Sequence, residues 1–241
     1  MSTAGIILIG DEILSGKVRD ENAHFLIGEL RQLGVSLQKI VTIPDVLEEI
    51  AVTVRELAGR FDHVFTSGGV GPTHDDLTMA GVALAFGRVV VRHPELEALL
   101  RGYYGARLQE RNLRMADVPE GAHFVHGDAT PSWPVVALDN VYILPGIPEL
   151  FRKKFESMKE RFRDRPFHLK QLFTTLEEGH IAHELDRVVA AYAAVQIGSY
   201  PTFSSAEYKV KVTIEGKDGD AVARACDELV RALGAAIVRV E

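Results

Sequence analysis

Through the first hundred residues, short apolar runs alternate with amphipathic helical stretches, and this alternation limits the architectures open to the chain. Residues 5–10 form a continuous apolar run (GIILIG), the pattern of a strand covered on both faces. Asp20, Glu21 and Asn22 then open a helix carrying Leu26, Leu30 and Leu33 on one stripe and stopped by Gly34. Residues 35–41 read as a second strand. Residues 46–58 read as a second helix, with Leu47, Ile50, Val54 and Leu57 on its apolar side. A third strand at 63–66 leads into a glycine-rich turn and an amphipathic helix through Phe86. A fourth strand at 88–91 and a helix from Pro94 follow. Such alternation builds a mostly parallel sheet with helices on both faces, whose ligands bind at the carboxyl ends of the strands.

The turn after the third strand reads FTSGGVGPTHDD over residues 65–76. Glycines let main-chain N–H groups approach a ligand, and the helix start that follows adds unpaired donors, so the element suits a phosphate or another anion. Asp75 and Asp76 would repel that anion unless a divalent cation with oxygen ligands lay between them. The competing reading is that one of these aspartates only caps the helix. The loop is neither a Walker A motif nor a GxGxxG fingerprint. His74 lies inside it, where it could meet a phosphate or move a proton. Asp11 and Glu12 close the first strand at the same expected sheet edge.

Beyond Gly102 the regularity loosens. Helix is expected at 108–115, a breaker-rich loop at 127–134 and a hairpin of 135–138 with 141–144 around Asp139-Asn140. LPGIPEL at 144–150 is a second strand, tight turn and helix start. A boundary falls near 164–167, giving domains 1–164 and 165–241. The second reads β-α-β-β-α-β, with strands at 169–175, 195–197, 208–214 and 235–240 and helices at 179–191 and 220–233. That order describes a small α+β domain of ferredoxin-like or KH-like type. It has no GxxG loop flanked by basic residues, so it is expected to pack on the first domain or support a homo-oligomer.

The chain has 241 residues, 46% hydrophobic and 25% charged, with a net charge of -7. No basic cluster is interleaved with aromatics, which argues against nucleic acid as a partner. The cationic run at 152–165 alternates with acids and reads as a solvated helix face. Cys226 is the only cysteine, which excludes intrachain disulfides and thiolate metal sites, and it lies on the apolar stripe of the last helix. The pairs His180/His183 and His123/His126 lack further ligands for zinc. No run reaches transmembrane length and the first residues lack a basic n-region, so a cytoplasmic protein with no membrane partner is expected.

IGDEIL at 9–14, the Asp20-Glu21-Asn22 helix start, SGGVGPTHDDLT at 67–78 and LPGIPEL together resemble the molybdopterin-binding (MoaB/MogA-like) family, in particular its CinA N-terminal branch. GGVGPTHDD and NVYILPGIPELFR also resemble the corresponding domain of eukaryotic FAD synthases, and IGSYP at 197–201 resembles the small domain that follows in CinA. The resemblance implies a three-layer α/β/α sandwich. It implies molybdopterin binding and Mg-ATP-dependent adenylylation in one branch, and metal-dependent hydrolysis of ADP-ribose or FAD in the others. Carried over by residue, Gly68, Gly69, Gly71 and Thr73 would cradle a diphosphate. Asp75 and Asp76 would hold Mg, Mn or Co, or position a water. Asp11 and Glu12 would flank the pocket, and Pro145, Gly146 and Pro148 would shape its opposite wall. Gly10, Asn22, Ser67, Pro72 and Thr78, within the same motifs, complete the ligand-binding set for a nucleotide or pterin.

Two departures bear on the substrate. CinA proteins carry Gly-Thr-Ala-Pro-Gly where this chain has DATPSW at 128–133, and Gln-Ala where it has Met115-Ala116. Neither the amidohydrolase domain that follows in CinA nor the adenylyltransferase half of FAD synthase matches any part of these residues. Three functions stay open at this point: a metal-dependent nucleotide pyrophosphatase, a molybdopterin-handling transferase and a non-catalytic ligand-binding module.

Overall fold

The computed structural model describes residues 1–126 and 133–241. Most of the breaker-rich loop, including the DATPS part of the departure from CinA, lies outside the described residues. The chain divides into two compact units, Met1–Asp164 and Arg165–Glu241.

In the first unit β1 (Thr3–Ile9) runs into a short α1 (Asp11–Leu14), then α2 (Asn22–Gln32), β2 (Ser36–Ile43), α3 (Leu47–Ala58), β3 (His63–Ser67) and α4 (Thr78–Ala85). There follow β4 (Val90–Arg92), α5 (Pro94–Tyr104), α6 (Glu110–Leu113), β5 (Asp117–Pro119), β6 (His123–Val125), β7 (Val135–Leu138), β8 (Val141–Leu144) and α7 (Pro148–Glu156). Six strands form one sheet in the order β2-β1-β3-β8-β7-β6. The β1–β2, β1–β3 and β3–β8 pairs are parallel; β7 and β6 add antiparallel.

The period-two pattern of β1 divides the core between the sheet's faces. Ile7 and Ile9 pack with α3, α4 and α5 through Ile50, Val54, Val82, Leu96 and Leu100. Ile6 and Leu8 point the other way, onto Leu26 and Leu30 of α2 and Phe151 and Phe155 of α7. The result is a three-layer α/β/α sandwich.

The expected fourth parallel strand at 88–91 is not in this sheet. β4 pairs antiparallel with β5 in a separate ribbon, with Val90, Val91 and Arg92 all exposed. A short apolar run does not reveal by periodicity whether it joins a buried sheet or an outlying ribbon. The fourth parallel position is taken by β8, the second strand of the expected hairpin. There Asp139 adopts φ 49°, and Asn140 donates to the carbonyls of Ala58 (2.9 Å) and Phe61 (2.7 Å), tying the turn to the end of α3. The helix at 108–115 contracts to α6. Helix α4 is not amphipathic: it buries Thr78, Gly81, Val82, Ala83 and Ala85 around its circumference. A Cβ at Gly81 would collide with Ile50, so α3 and α4 approach closely only because the side chain is missing.

The cationic run is only partly a solvated face. Arg152 pairs with Glu21 and Lys159 with Glu29, each at 2.9 Å. Lys154 instead turns inward and donates to the Trp133 (2.6 Å) and Pro134 (3.1 Å) carbonyls, and burial pulls its pKa down to about 8.

The second unit contains β9 (His168–Thr174), α8 (Glu178–Ala191), β10 (Val195–Pro201), β11 (Val210–Gly216), α9 (Gly219–Leu233) and β12 (Ile237–Val240). Its sheet order, β10-β11-β9-β12, is antiparallel throughout and places the first strand between the third and fourth. Val210, Val212 and Ile214 face a core shared with Ile181, Val188, Ala225, Cys226 and Leu229, which accounts for the apolar position of the cysteine. Tyr208 precedes β11 rather than opening it, and meets the Phe173 ring at 4.9 Å. Among the described residues no helix is long and apolar enough to cross a membrane.

Candidate functional site at the carboxyl edge of the parallel strands

After β1 the chain moves to β2 on one side and then to β3 on the other, so the strand order reverses about β1. Open α/β sheets leave a crevice at such a reversal, beyond the strand carboxyl ends. Gly10, at the end of β1, and Ser67, at the end of β3, both face it.

The turn after Ser67 takes backbone angles that side chains disfavour, φ 105° at Gly68 and 64° at Gly69. The space is also filled. A Cβ at Gly68 would collide with the Ile9 carbonyl oxygen, and one at Gly69 with the Thr78 hydroxyl. Thr78, fully buried at the start of α4, donates from its hydroxyl to the Gly68 carbonyl (2.8 Å) and from its N–H to the Gly69 carbonyl (3.0 Å). Gly68 N–H donates to Leu144 at the end of β8, and Gly146 lies against Gly68. Asn22 braces the arrangement: its side-chain amide donates to Ser67 Oγ (2.9 Å) and to the Gly146 carbonyl (2.8 Å), while its buried Oδ1 has no partner among the described residues. Asp20 accepts from the N–H groups of Asn22 and Ala23 and so holds the start of α2. Gly10, Asn22, Ser67, Gly68, Gly69, Thr78 and Gly146 thus gather into one frame. Pro145 lies beside Gly146 in the chain, and Pro148 starts α7.

Asp75 and Asp76 are neighbours in sequence and do different things. Asp76 turns into its own loop, where Oδ1 accepts from Gly71 N–H (2.5 Å) and Oδ2 from Thr73 N–H (2.7 Å) and the Thr73 hydroxyl. It clamps the turn and does not cap α4, whose start has no side-chain cap. The Gly71 and Thr73 amides are spent on that clamp, and Pro72 has none to give. Among the described residues, the Gly69 and Val70 N–H groups are the loop amides between Ser67 and Pro72 left without a protein acceptor. Asp75 is exposed, with His74 Nδ1 3.8 Å away on an almost fully exposed ring. Its carboxyl is held below the usual range first by the Thr73 hydroxyl and then by a main-chain N–H, although geometry gives that hydroxyl's hydrogen to Asp76.

A fourth carboxylate belongs with Asp11, Glu12 and Asp75. Asp45, two residues beyond β2, accepts from the Asp11 N–H at 3.0 Å. Burial pushes its pKa up, and the charges of Glu12, Asp11 and Asp75 push it further, against the lowering effect of that hydrogen bond. Sequence reasoning passed over Asp45, although the signal that marked Asp11 (an acid just past a strand's carboxyl end) marks it equally. Carboxylate oxygens are hard donors and suit magnesium or a similar cation. Among the described residues no group of three or more His, Cys, Asp or Glu side chains is placed to hold a metal ion. Magnesium commonly takes only one or two carboxylates and completes its shell with water and substrate phosphate, so the donors fit that use.

Beside the loop lies a cavity of about 130 Å³, lined by Gly69, Val70, Gly71 and Asp76 together with Arg114, Met115 and Asp117. Met115, at the second departure from the CinA pattern, is therefore a wall of this space.

Residues 5–164 match a family described as "Probable molybdopterin binding domain", and residues 166–241 match "FAD synthase, middle domain". The chain is 33% identical to a "Probable FAD synthase" of Caenorhabditis elegans, covering 98% of this chain and 51% of that protein. It is also 33% identical to a "CinA-like protein" of Anaeromyxobacter dehalogenans, covering 95% of this chain and 58% of that one. The chain thus spans about half the length of the curated relatives it matches. The crystal structure of the protein CinA, of unknown function, from Thermoplasma acidophilum superposes with a TM-score of 0.61 at 28% identity, over 68% of this chain and all of that one. With two thirds of its length matched by that family's model and its fold shared with a CinA structure, the chain belongs to the molybdopterin-binding-domain family, on the side of its CinA-like and FAD synthase-like members.

Proposed function

We propose that the unit Met1–Asp164 is a divalent-metal-dependent pyrophosphatase that cleaves a nucleotide diphosphate such as ADP-ribose or FAD. One observation carries this reading: an anion-accepting glycine turn and a cluster of four carboxylates meet at the same reversal of strand order. Gly69 and Val70 N–H groups, with the start of α4 behind them, would take the diphosphate oxygens. One or two of Asp11, Glu12, Asp45 and Asp75 would hold the cation, which when bound neutralises phosphate charge and lowers the pKa of water. Asp45 is suited to accept a proton because its surroundings raise its affinity for one. Water oxygen bonds to one phosphorus, the bridging P–O bond breaks, the water proton passes to Asp45, and two phosphomonoesters leave. Asp76 acts on the loop rather than on the substrate.

The test is to incubate the pure protein with FAD or ADP-ribose and Mg, Mn or Co, and to follow release of AMP. Turnover that falls at least about a hundredfold in Asp45→Asn and Asp75→Asn supports the proposal. Release unaffected by both changes rejects it. The family match favours one second reading, a pterin-binding role with or without adenylylation. Tight pterin binding with no diphosphate cleavage supports that reading, and ATP-dependent adenylylation of the pterin separates a transferase from a binding module.

A further inference from the structure

The cavity beside the glycine loop contains two carboxylates and one cation, and the pairing among them is uneven. Asp117 is already neutralised: Arg92 grips it with Nε at 2.8 Å and an Nη at 3.1 Å. Asp76 accepts its three donors from the loop. Arg114 is exposed and lines the same cavity as Gly69 and Gly71, and among the described residues no acceptor or carboxylate pairs with it. Arg111 donates to Gln109, and Arg101 pairs with Glu97 one turn away. The same cavity receives the Gly69 and Val70 main chain, whose N–H groups lack acceptors, and its remaining lining from Leu77, Met79 and Met115 is apolar.

We infer that Arg114 is a substrate-binding residue that takes a phosphate oxygen of the ligand in the cavity it shares with the Gly69–Val70 main chain, while the apolar lining covers the adjoining ring or ribose. This rests on the proposed diphosphate-binding role of the turn and extends it by naming a side chain and a ligand class: a nucleoside diphosphate, in preference to an uncharged nucleoside. A planar guanidinium suits the work, since it offers paired donors to phosphate where an ammonium offers a point charge. The position of Met115 fits the same division. Met115 adds a thioether to the apolar lining, which binds by contact and leaves the phosphate to Arg114.

The experiment measures ADP and adenosine binding by calorimetry, with Mg present, for the wild type, Arg114→Ala and Arg114→Lys. ADP affinity should fall roughly ten- to a hundredfold in Arg114→Ala, the loss expected for a charge-assisted hydrogen bond, and be partly restored by lysine. Adenosine binding should change little, and the wild-type ADP affinity should weaken as salt is raised. Because Arg114 is exposed, melting temperatures should coincide and exclude misfolding as the cause. Wild-type ADP binding that is unchanged in Arg114→Ala overturns this inference while leaving the diphosphate site standing. Equal losses for ADP and adenosine overturn it as well, since the side chain would then only shape the wall. No ADP binding by the wild type overturns both this inference and the functional proposal beneath it.

Discussion

Asp45 receives the Asp11 N–H on one oxygen and shares its surroundings with the charges of Asp11, Glu12 and Asp75. Its pKa in the folded protein lies above the ordinary 3.8 of the free side chain. The fold therefore holds the proton more tightly than the unfolded chain does. The stability from this group is complete below the unfolded value and is lost as pH rises through the folded one. At neutral pH the charged carboxylate thus weakens the fold, by no more than about 1 kcal/mol once solvent screening is allowed for. Asp45→Asn keeps an oxygen for the Asp11 N–H and removes the charge. In metal-free buffer it should melt higher than wild type at neutral pH, with the gap closing as pH is brought toward 4. Magnesium should raise the wild-type melting temperature and leave the variant's unchanged. A variant that melts lower at neutral pH, or gains equally from magnesium, would show that Asp45 stands outside the acidic cluster's electrostatics. Asp45 also shows what residue-level reading lacked. The acid was visible past the second strand, but its importance comes from three neighbours distant in sequence, and no local pattern supplies them.

At the scale of elements, the glycine turn separates two kinds of glycine that look alike in sequence. Gly16 has φ 73° with open space around it, so a methyl group there meets only backbone strain. Gly68 has φ 105° and would set its methyl group against the Ile9 carbonyl oxygen, which is fixed in the central strand. Gly16→Ala should cost about 1 kcal/mol in urea unfolding, and Gly68→Ala at least about 3 kcal/mol, because steric displacement of β1 adds to the strain. Equal losses would mean that the turn relaxes independently of β1. The turn itself was legible, since three glycines between a strand and a helix permit few conformations. Asp76 as a clamp on that turn was not, because an aspartate before a helix serves equally well as a cap or a ligand until the N–H groups around it are placed. The alternation from β1 to β3 was likewise plain, and the six-residue hydrophobic run of β1 demanded cover on both faces. β4 misled for a physical reason: its valines carry the composition of an inner strand, and only the pairing with Asp117–Pro119 shows that they lie on an exposed ribbon.

At the scale of the whole molecule, three hydrophobic interiors divide the work. The sandwich of Met1–Asp164 is built on both faces of its sheet, whereas Arg165–Glu241 closes a single interior between one sheet face and two helices. Each named site residue, from Gly10 to Pro148, and the cavity containing Arg114 belong to the first unit. The second unit is small, but helix α9 alone buries Ala221, Val222, Ala225, Cys226, Leu229 and Leu233, and its start is capped by Asp218 accepting from Ala221 N–H. That is enough apolar cover for a short domain to fold at modest stability. Expressed separately, residues 165–241 should unfold cooperatively in urea, at a lower midpoint than residues 1–164, and bind neither metal nor nucleotide. Residues 1–164 should keep ADP affinity within about threefold of the full chain, since every named site residue belongs to that unit. A well-folded 1–164 fragment that has lost ADP binding would place part of the site in the second unit. The glycine turn would then be a supporting frame and not the whole of the binding site.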